Sequence, residues 1–255
     1  MDDKLRNAYD RLAQDYAKTV DAQSGANAYY ERPAMMGRLP DRMDGLRALD
    51  AGCAAGWYSE QLAARGADVT AVDLSPAMAE AATARLGQKA RVLTLDLAEP
   101  LPFEDASFDL VLSSLTLHYL KDWAPTFREF RRVLTAGGRF LFSVHHPFMD
   151  FTEFKRPNYF TRELLTDVWT KPEAGRVEVW FYRRPLEEIV NTTTSAFILD
   201  AIEEPQPIRE FLKTGQAAFY ERLKRNPHFL IVDAHVPAEQ LREGALAARG
   251  HLTKS

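Results

Sequence analysis

A single cysteine, Cys53, stands among 255 residues, so the chain can build neither an internal disulfide framework nor a Cys-rich zinc site. Long hydrophobic runs are missing too, and none approaches the length a helix needs to cross a bilayer. A strong excess of charge of one sign is also absent. The 32 Lys and Arg against 36 Asp and Glu leave a formal −4, which gives no electrostatic footprint for nucleic acid or an anionic membrane. The opening "MDDKLRNAYDRLAQDY" is charged from its second residue and lacks the apolar core of a signal peptide. No H-E-x-x-H repeat accompanies the histidines, so no metal is expected. Internal repeats and low-complexity segments are absent. These exclusions predict a cytoplasmic protein with no nucleic-acid or membrane partner, acting as a monomer or homodimer.

What is present is an ordinary globular balance, 46% hydrophobic and 27% charged, long enough for one large α/β domain over residues 1–255. Helices are predicted at 2–18 and 27–39, the second broken near Pro33, giving an N-terminal helical cap over 1–44. Strands then read at 46–50, 67–73, 90–96, 108–114 and 138–145, with helices at 57–65, 76–86 and 122–134 between them. Ser75–Pro76 is a helix start, and Gly66, Gly87 and Gly137–Gly138 sit where helices stop. Strands alternating with helices predict a parallel sheet covered on both faces. After "SVHHP" the alternation lapses into an aromatic stretch, 148–184, and resumes with a helix near 185–195 and a strand near 196–203. A helix at 208–224 and the strand "HFLIVDAHV" follow, before an alanine-rich tail over 238–255 that is expected to be peripheral.

The stretch "RALDAGCAAGWYSEQLAARGADVTAVDLSPAM" is a strand, a glycine turn, a helix and a second strand ending in Asp73. Such units bind nucleotides at the carboxyl ends of their strands. A dinucleotide site would want glycines at 52, 54 and 57, where this chain has Gly52, Ala54 and Trp57. A tryptophan in place of the glycine that permits close helix–strand packing argues against NAD or FAD. Asp73 is placed to accept hydrogen bonds from ribose hydroxyls, or else it is a cap or turn residue. His145 and His146 end the fifth strand at the same sheet edge. Either could orient a substrate hydroxyl or act as general base, since imidazole titrates near neutrality, or the pair could make backbone contacts only.

The segments "LDAGCAAG", "VTAVDLSPAM", "LDLAEPLPFEDASFDLVLSSLTLHYLKDW" and "EFRRVLTAGGRFLFSV" resemble the successive motifs of class I S-adenosylmethionine-dependent methyltransferases. The resemblance covers 45–147 and is nearest to the small-molecule branch of ubiquinone- and menaquinone-biosynthesis-type enzymes. It departs at Ala54, where that family has its middle glycine. It implies a Rossmann-like, seven-stranded, mostly parallel sheet with helices on both faces. The N-terminal helices and an aromatic insertion after the fifth strand are added to it, and one antiparallel strand comes from 227–236.

The resemblance also assigns roles. Gly52, Cys53 and Gly56 form the turn that approaches the methionine part of the cofactor. Leu74 and Met78 flank the adenine, although Met78 could equally be helix–sheet core. Asp96 accepts from the adenine amino group, and the Leu97 amide meets a ring nitrogen. Ser113 ends the fourth strand towards the sulfonium, and His118 lies near cofactor or substrate unless it is a satisfied structural group. Tyr9 and Tyr16 close over the cofactor or merely pack their helix, and Arg32 or Arg38 pairs the methionine carboxylate. The aromatic stretch 148–184 is a substrate cover suited to a flat or apolar small molecule, a cover of the sheet, or a dimer contact. Two functions follow. One is methyl transfer to an O, N or C nucleophile of a small organic acceptor, with His118, His145 and His146 as catalytic candidates. The other is a cofactor-binding protein of the same fold that does not methylate, either a regulatory or partner subunit or an enzyme using the cofactor for another reaction such as cyclisation.

Overall fold

The strands lie in the order β3-β2-β1-β4-β5-β9-β8, seen in a computed structural model that describes residues 3–20 and 24–238. They are β1 (Arg47–Ala51), β2 (Asp68–Asp73), β3 (Ala90–Thr94), β4 (Phe108–Ser114), β5 (Leu134–His145), β8 (Ile198–Glu203) and β9 (Phe229–His235). β9 is antiparallel to both of its neighbours, while β1 to β5 run parallel. The chain moves outward from β1 to β3 and returns on the other side of β1 as β4. That reversal opens a crevice at the carboxyl ends of β1 and β4.

Side-chain alternation fills both faces of the sheet. Val111, Phe140, Phe142 and Val232 point to one side, where they meet Trp123, Phe127 and Phe130 of the helix layer. Leu110, Leu112, Leu141 and Ile231 point to the other side and meet Met35, Met43 and Leu62. Strands buried on both faces read as near-continuous apolar runs, as these do.

Local chemistry sets the helix ends. Before α4 (Pro76–Leu86), Ser75 Oγ accepts from Met78 N at 3.1 Å and Pro76 takes the first position. α3 (Trp57–Ala64) closes on left-handed Gly66, with Gly66 N donating to Ala63 O at 3.0 Å and Ala67 N to Leu62 O at 3.1 Å. That pair of bonds is the Schellman arrangement. α1 (Asp3–Asp15) buries Leu5, Ala8 and Leu12 on one stripe.

Several expected boundaries move. The helix over 27–39 begins as a π-helical turn, Asn27–Glu31, and continues as α2 (Arg32–Gly37). Pro33 causes no break: Glu31 and Arg32 keep helical dihedrals across the change from π to α, and the Tyr29 carbonyl that an N–H at position 33 would have met accepts from Ile208 N at 2.9 Å instead. Gly137–Gly138 do not stop a helix. α5 (Ala124–Val133) ends earlier, and the glycines lie inside β5 at a register shift between Phe108 and Leu110, with Gly137 at φ +73°. The helix at 208–224 is split by left-handed Gly215 into a 3₁₀ segment and α8 (Ala217–Leu223).

The aromatic stretch is ordered secondary structure. It holds α6 (Pro147–Glu153) and a two-stranded antiparallel hairpin, β6 (Glu163–Lys171) with β7 (Gly175–Arg183), ahead of α7 (Leu186–Ala196). Asp15 accepts from Glu173 N at 3.1 Å and Ala174 N at 2.9 Å, and Arg11 donates to Ala174 O and Arg176 O, both at 2.9 Å. These bonds tie the hairpin turn to α1. The tail expected at 238–255 lies, beyond residue 238, outside the described residues.

Candidate active site

At the carboxyl end of β1 the backbone enters a turn of left-handed residues: Gly52 (φ +87°), Ala54 (φ +46°) and Gly56 (φ +83°). Ala54 adopts this conformation without being glycine, at a cost of about 1–2 kcal/mol. In return its amide donates to Asp73 Oδ2 at 2.8 Å, and Asp73 Oδ1 accepts from Ser75 N at 2.9 Å. Burial pushes the Asp73 carboxyl up to about 6, against those two amide bonds. Beneath the turn, Asp50 accepts from Ser59 Oγ at 2.6 Å, and burial pushes it up to about 7.

Over this turn lies an open cleft of about 910 Å³ including its mouth, lined by Tyr9, Tyr16, Gly52, Cys53, Asp73, Leu74 and Leu97 among others. These seven expected residues are brought together. Tyr9 donates to the Tyr119 hydroxyl, with ring centroids 5.3 Å apart, and lies 6.1 Å from Tyr16. Burial raises both Tyr9 and Tyr119, and it raises the Cys53 thiol, so none of the three is ionised near neutrality.

Four other expected contacts lie elsewhere. A Cβ on Gly56 would stand 3.2 Å from Ala82 Cβ and from Leu86 Cδ1, so this glycine serves close packing of α4 rather than a ligand. Met78 is fully buried with Leu12, Val177 and Val179, where α1 and the hairpin cover it. Ser113 Oγ donates to Ala51 O at 2.8 Å and joins β4 to β1, whereas its neighbour Ser114 faces the cleft. Asp96 sits between the lining residues Leu95 and Leu97 but is not itself on the wall, and its Oδ1 accepts from Ala98 N at 2.8 Å.

Of the two arginines, Arg32 lines the cleft with its guanidinium 4.1 Å from the Trp57 ring centroid. Arg38 is engaged with Glu203 at 2.6 Å and Asp233 at 3.4 Å. Beside Arg32, the buried Glu31 carboxylate accepts from Tyr58 Oη (2.7 Å), Ser114 Oγ (2.8 Å) and Ser143 Oγ (2.5 Å). Burial raises its pKa, opposed by those three hydroxyls.

A second cavity, about 1390 Å³ including its mouth, adjoins the first and shares Tyr16, Asn27, Leu115 and Tyr119 with it. His118 and His145 stack in its wall with centroids 4.1 Å apart at 20°. His118 is 3% exposed and neither ring nitrogen has a hydrogen-bond partner. Burial, then His145 and Arg184, lower its pKa, so it is a neutral imidazole. His146 stands apart: Nδ1 accepts from Phe148 N at 3.1 Å to cap α6, and Nε2 meets Glu204 at 2.9 Å. It lines neither cavity, because consecutive residues leave a strand end on opposite sides.

The stretch 148–184, expected as a substrate cover, sheet cover or dimer contact, contributes Asp150, Lys171 and Phe181 to this wall, whereas His228 was not anticipated. His228 carried a readable signal, since the first residues of an antiparallel β9 must reach the edge where parallel strands end. Burial pushes it down to about 3.

Residues 49–142 match a family described as a methyltransferase domain. Among curated proteins, the malonyl-[acyl-carrier protein] O-methyltransferase of Erwinia billingiae is 37% identical over 146 residues, 50% of this chain and 55% of that one. The chain thus spans about half the length of the curated relatives it matches. Among solved structures, an S-adenosylmethionine-dependent methyltransferase from Mesorhizobium loti superposes with a TM-score of 0.64 at 29% identity, over 80% of this chain and 97% of that one. A putative methyltransferase of the same class from Listeria monocytogenes reaches 0.71 at 23% identity, over 84% and 98%.

Proposed function

We propose that this chain, which carries a methyltransferase domain of the S-adenosylmethionine-dependent class over residues 49–142, transfers a methyl group to a small organic acceptor. The cofactor belongs in the Gly52 cleft and the acceptor in the histidine cavity. One observation carries this: the two cavities meet at Tyr16, Asn27, Leu115 and Tyr119, so a donor in one can face a nucleophile in the other.

The residues present fit the cofactor. Asp73 offers two fixed carboxylate oxygens to ribose hydroxyls, and Leu74 and Leu97 provide apolar faces for adenine. Arg32 supplies a cation for the methionine carboxylate. When bound, S-adenosylmethionine supplies a methyl group on an already activated sulfonium. The chain therefore has to align the acceptor and exclude water, and positioning of this kind can supply roughly 7–11 kcal/mol of a barrier. Tyr9, Tyr16 and Tyr119 close the junction, and His118 and His145 orient the acceptor or take its proton. His146 has no part in this.

The O-methyltransferase relative makes oxygen acceptors the first to try. The test is incubation with S-adenosylmethionine and a small-molecule library, following S-adenosylhomocysteine and methylthioadenosine by mass spectrometry. Acceptor-dependent S-adenosylhomocysteine is expected. Methylthioadenosine, or binding without turnover of any acceptor, would favour the non-methylating alternative.

A further inference from the structure

The histidine cavity contains a buried carboxylate with an unmet need. Asp150, on α6, is 2% exposed and lines the cavity, yet its Oδ1 has no hydrogen-bond partner. The nearest cationic candidate, His145 Nδ1, lies 3.4 Å away and is itself without a hydrogen bond. The other two acids of the lining are already served. Asp167 accepts from Val168 N at 2.7 Å and Trp169 Nε1 at 2.8 Å, and Glu153 is paired with Arg222 at 2.5 Å.

Around Asp150 the wall combines neutral imidazoles, His118 and His228, with the rings of Tyr119, Phe181 and Phe229. A buried polar atom left unmet costs about as much as a lost hydrogen bond, and four unpartnered atoms (the acceptor Asp150 Oδ1, His145 Nδ1 and the two ring nitrogens of His118) belong to residues that line this one cavity, which marks it as a place for a ligand. The ligand must bring donors to the carboxylate. An anion would instead face a carboxylate, since like charges in contact are strongly disfavoured.

We propose that this cavity selects a ring-bearing acceptor that presents an O–H or N–H donor to Asp150, neutral or cationic, and rejects the corresponding carboxylate. This rests on the reading of the histidine cavity as the acceptor site. Aromatic walls take the ring by stacking or edge contact. Asp150 takes the donor, and the His118–His145 pair fixes its direction. Lys171 is the cationic residue of the lining, but it is half-buried and turned to the Trp169 ring at 5.6 Å.

The experiment uses three ring-matched probes, benzyl alcohol, benzylamine and benzoate, titrated by ligand-detected NMR into protein saturated with S-adenosylhomocysteine. Benzyl alcohol and benzylamine should bind, with benzoate roughly 10- to 100-fold weaker, the range set by one hydrogen bond to a charged group. Asp150→Asn keeps an acceptor oxygen and loses the charge. Benzylamine should weaken by that factor, benzyl alcohol should change only a few-fold, and benzoate should gain. Asp150→Leu should remove the preference for donors altogether. Should either variant fail to fold, the wild-type ranking and His145→Gln, which should weaken the alcohol, decide the matter. Benzoate binding as tightly as the alcohol, a ranking that survives Asp150→Leu, or no probe binding at all would overturn the inference. S-adenosylhomocysteine affinity is read in the same samples. Its absence would count against the cofactor reading, whereas intact affinity with a reversed ranking removes the acceptor inference alone.

Discussion

Gly52→Ala isolates what the first glycine of the turn does. At φ +87° an alanine costs about 1–2 kcal/mol in backbone strain. Its Cβ would also stand 2.2 Å from Thr116 Oγ1, 2.3 Å from Cγ2 and 2.7 Å from Cβ. Such distances do not occur between real atoms, so Thr116 or the turn must move, and overpacking of this kind costs about 1–3 kcal/mol more. Thr116 resists because its hydroxyl donates to Ser114 O at 2.9 Å.

The expected loss is therefore about 2–5 kcal/mol, reduced slightly because alanine restricts the unfolded chain. Gly45→Ala is the control: it sits at φ +78° with no atom within 4 Å of an added Cβ, so it bears the backbone cost alone. Urea denaturation without ligand measures both, and the excess at Gly52 should be about 1–3 kcal/mol. Thr116→Ala removes Oγ1 and Cγ2 but leaves Cβ, so the double variant should recover part of that excess. If Gly52→Ala costs no more than Gly45→Ala, or if the cycle shows no coupling, contact with Thr116 is not the reason for glycine here.

Asp73→Ala should lower S-adenosylmethionine affinity by roughly two to four decades, as loss of two charge-assisted hydrogen bonds implies, measured by calorimetry on folded protein. Because burial raises the Asp73 pKa to about 6, its stability contribution is complete below the usual carboxylate range and is lost as pH rises through 6. Cofactor affinity should run the opposite way, weakening by about tenfold per pH unit below 6, and Asp73→Asn should flatten that dependence. Glu31→Ala leaves the Tyr58, Ser114 and Ser143 hydroxyls without their acceptor and should destabilise by about 3 kcal/mol or more in chemical denaturation, with Glu31→Gln milder. His118→Ala and His145→Ala should keep cofactor affinity within a few-fold yet lower turnover, by about 10²–10⁴-fold if one is the acid–base group. Wild-type turnover in both with the true acceptor would leave alignment alone as their account.

How much could be read from the chain depended on contrast along it. The strands 68–73 and 108–114, and the helix 76–86 with its Ser75–Pro76 start, were expected within a residue of where they lie, because apolar runs there are bounded by residues with one conformational meaning. The hairpin was missed for the opposite reason. Leu165, Val177, Val179 and Phe181 point inward, but Leu164 (52% exposed) and Val168 (40%) lie on the outer face with Trp180 and Tyr182. With apolar residues on both faces the period-two signal has no contrast. Gly52 and Gly56 show a different limit. Both were expected to be glycine for the same reason, close approach to the cofactor. Both adopt a left-handed backbone, and only the neighbours distinguish the one at the cleft from the one beneath a helix.

The same logic separates the two halves of the site. The cofactor side is dominated by the ends of successive parallel strands, so Gly52, Asp73 and Leu97 could be found in order along one stretch. The proposed acceptor side joins His118 after β4, His145 at the end of β5, Asp150 on α6, Phe181 on the hairpin and His228 before an antiparallel strand. No local pattern links these five positions, because what unites them is a reversal of strand direction and a hairpin pinned to α1 by Arg11 and Asp15. The inward residues of the hairpin divide: Val177 and Val179 pack with Met78 and Ala54 on the cofactor side, whereas Phe181 packs with Leu5, Tyr119 and Leu165 and lines the second cavity. Substitutions at Phe181 should shift the acceptor KM and leave S-adenosylmethionine affinity unchanged. Equal losses in both would mean that the two halves are not separable.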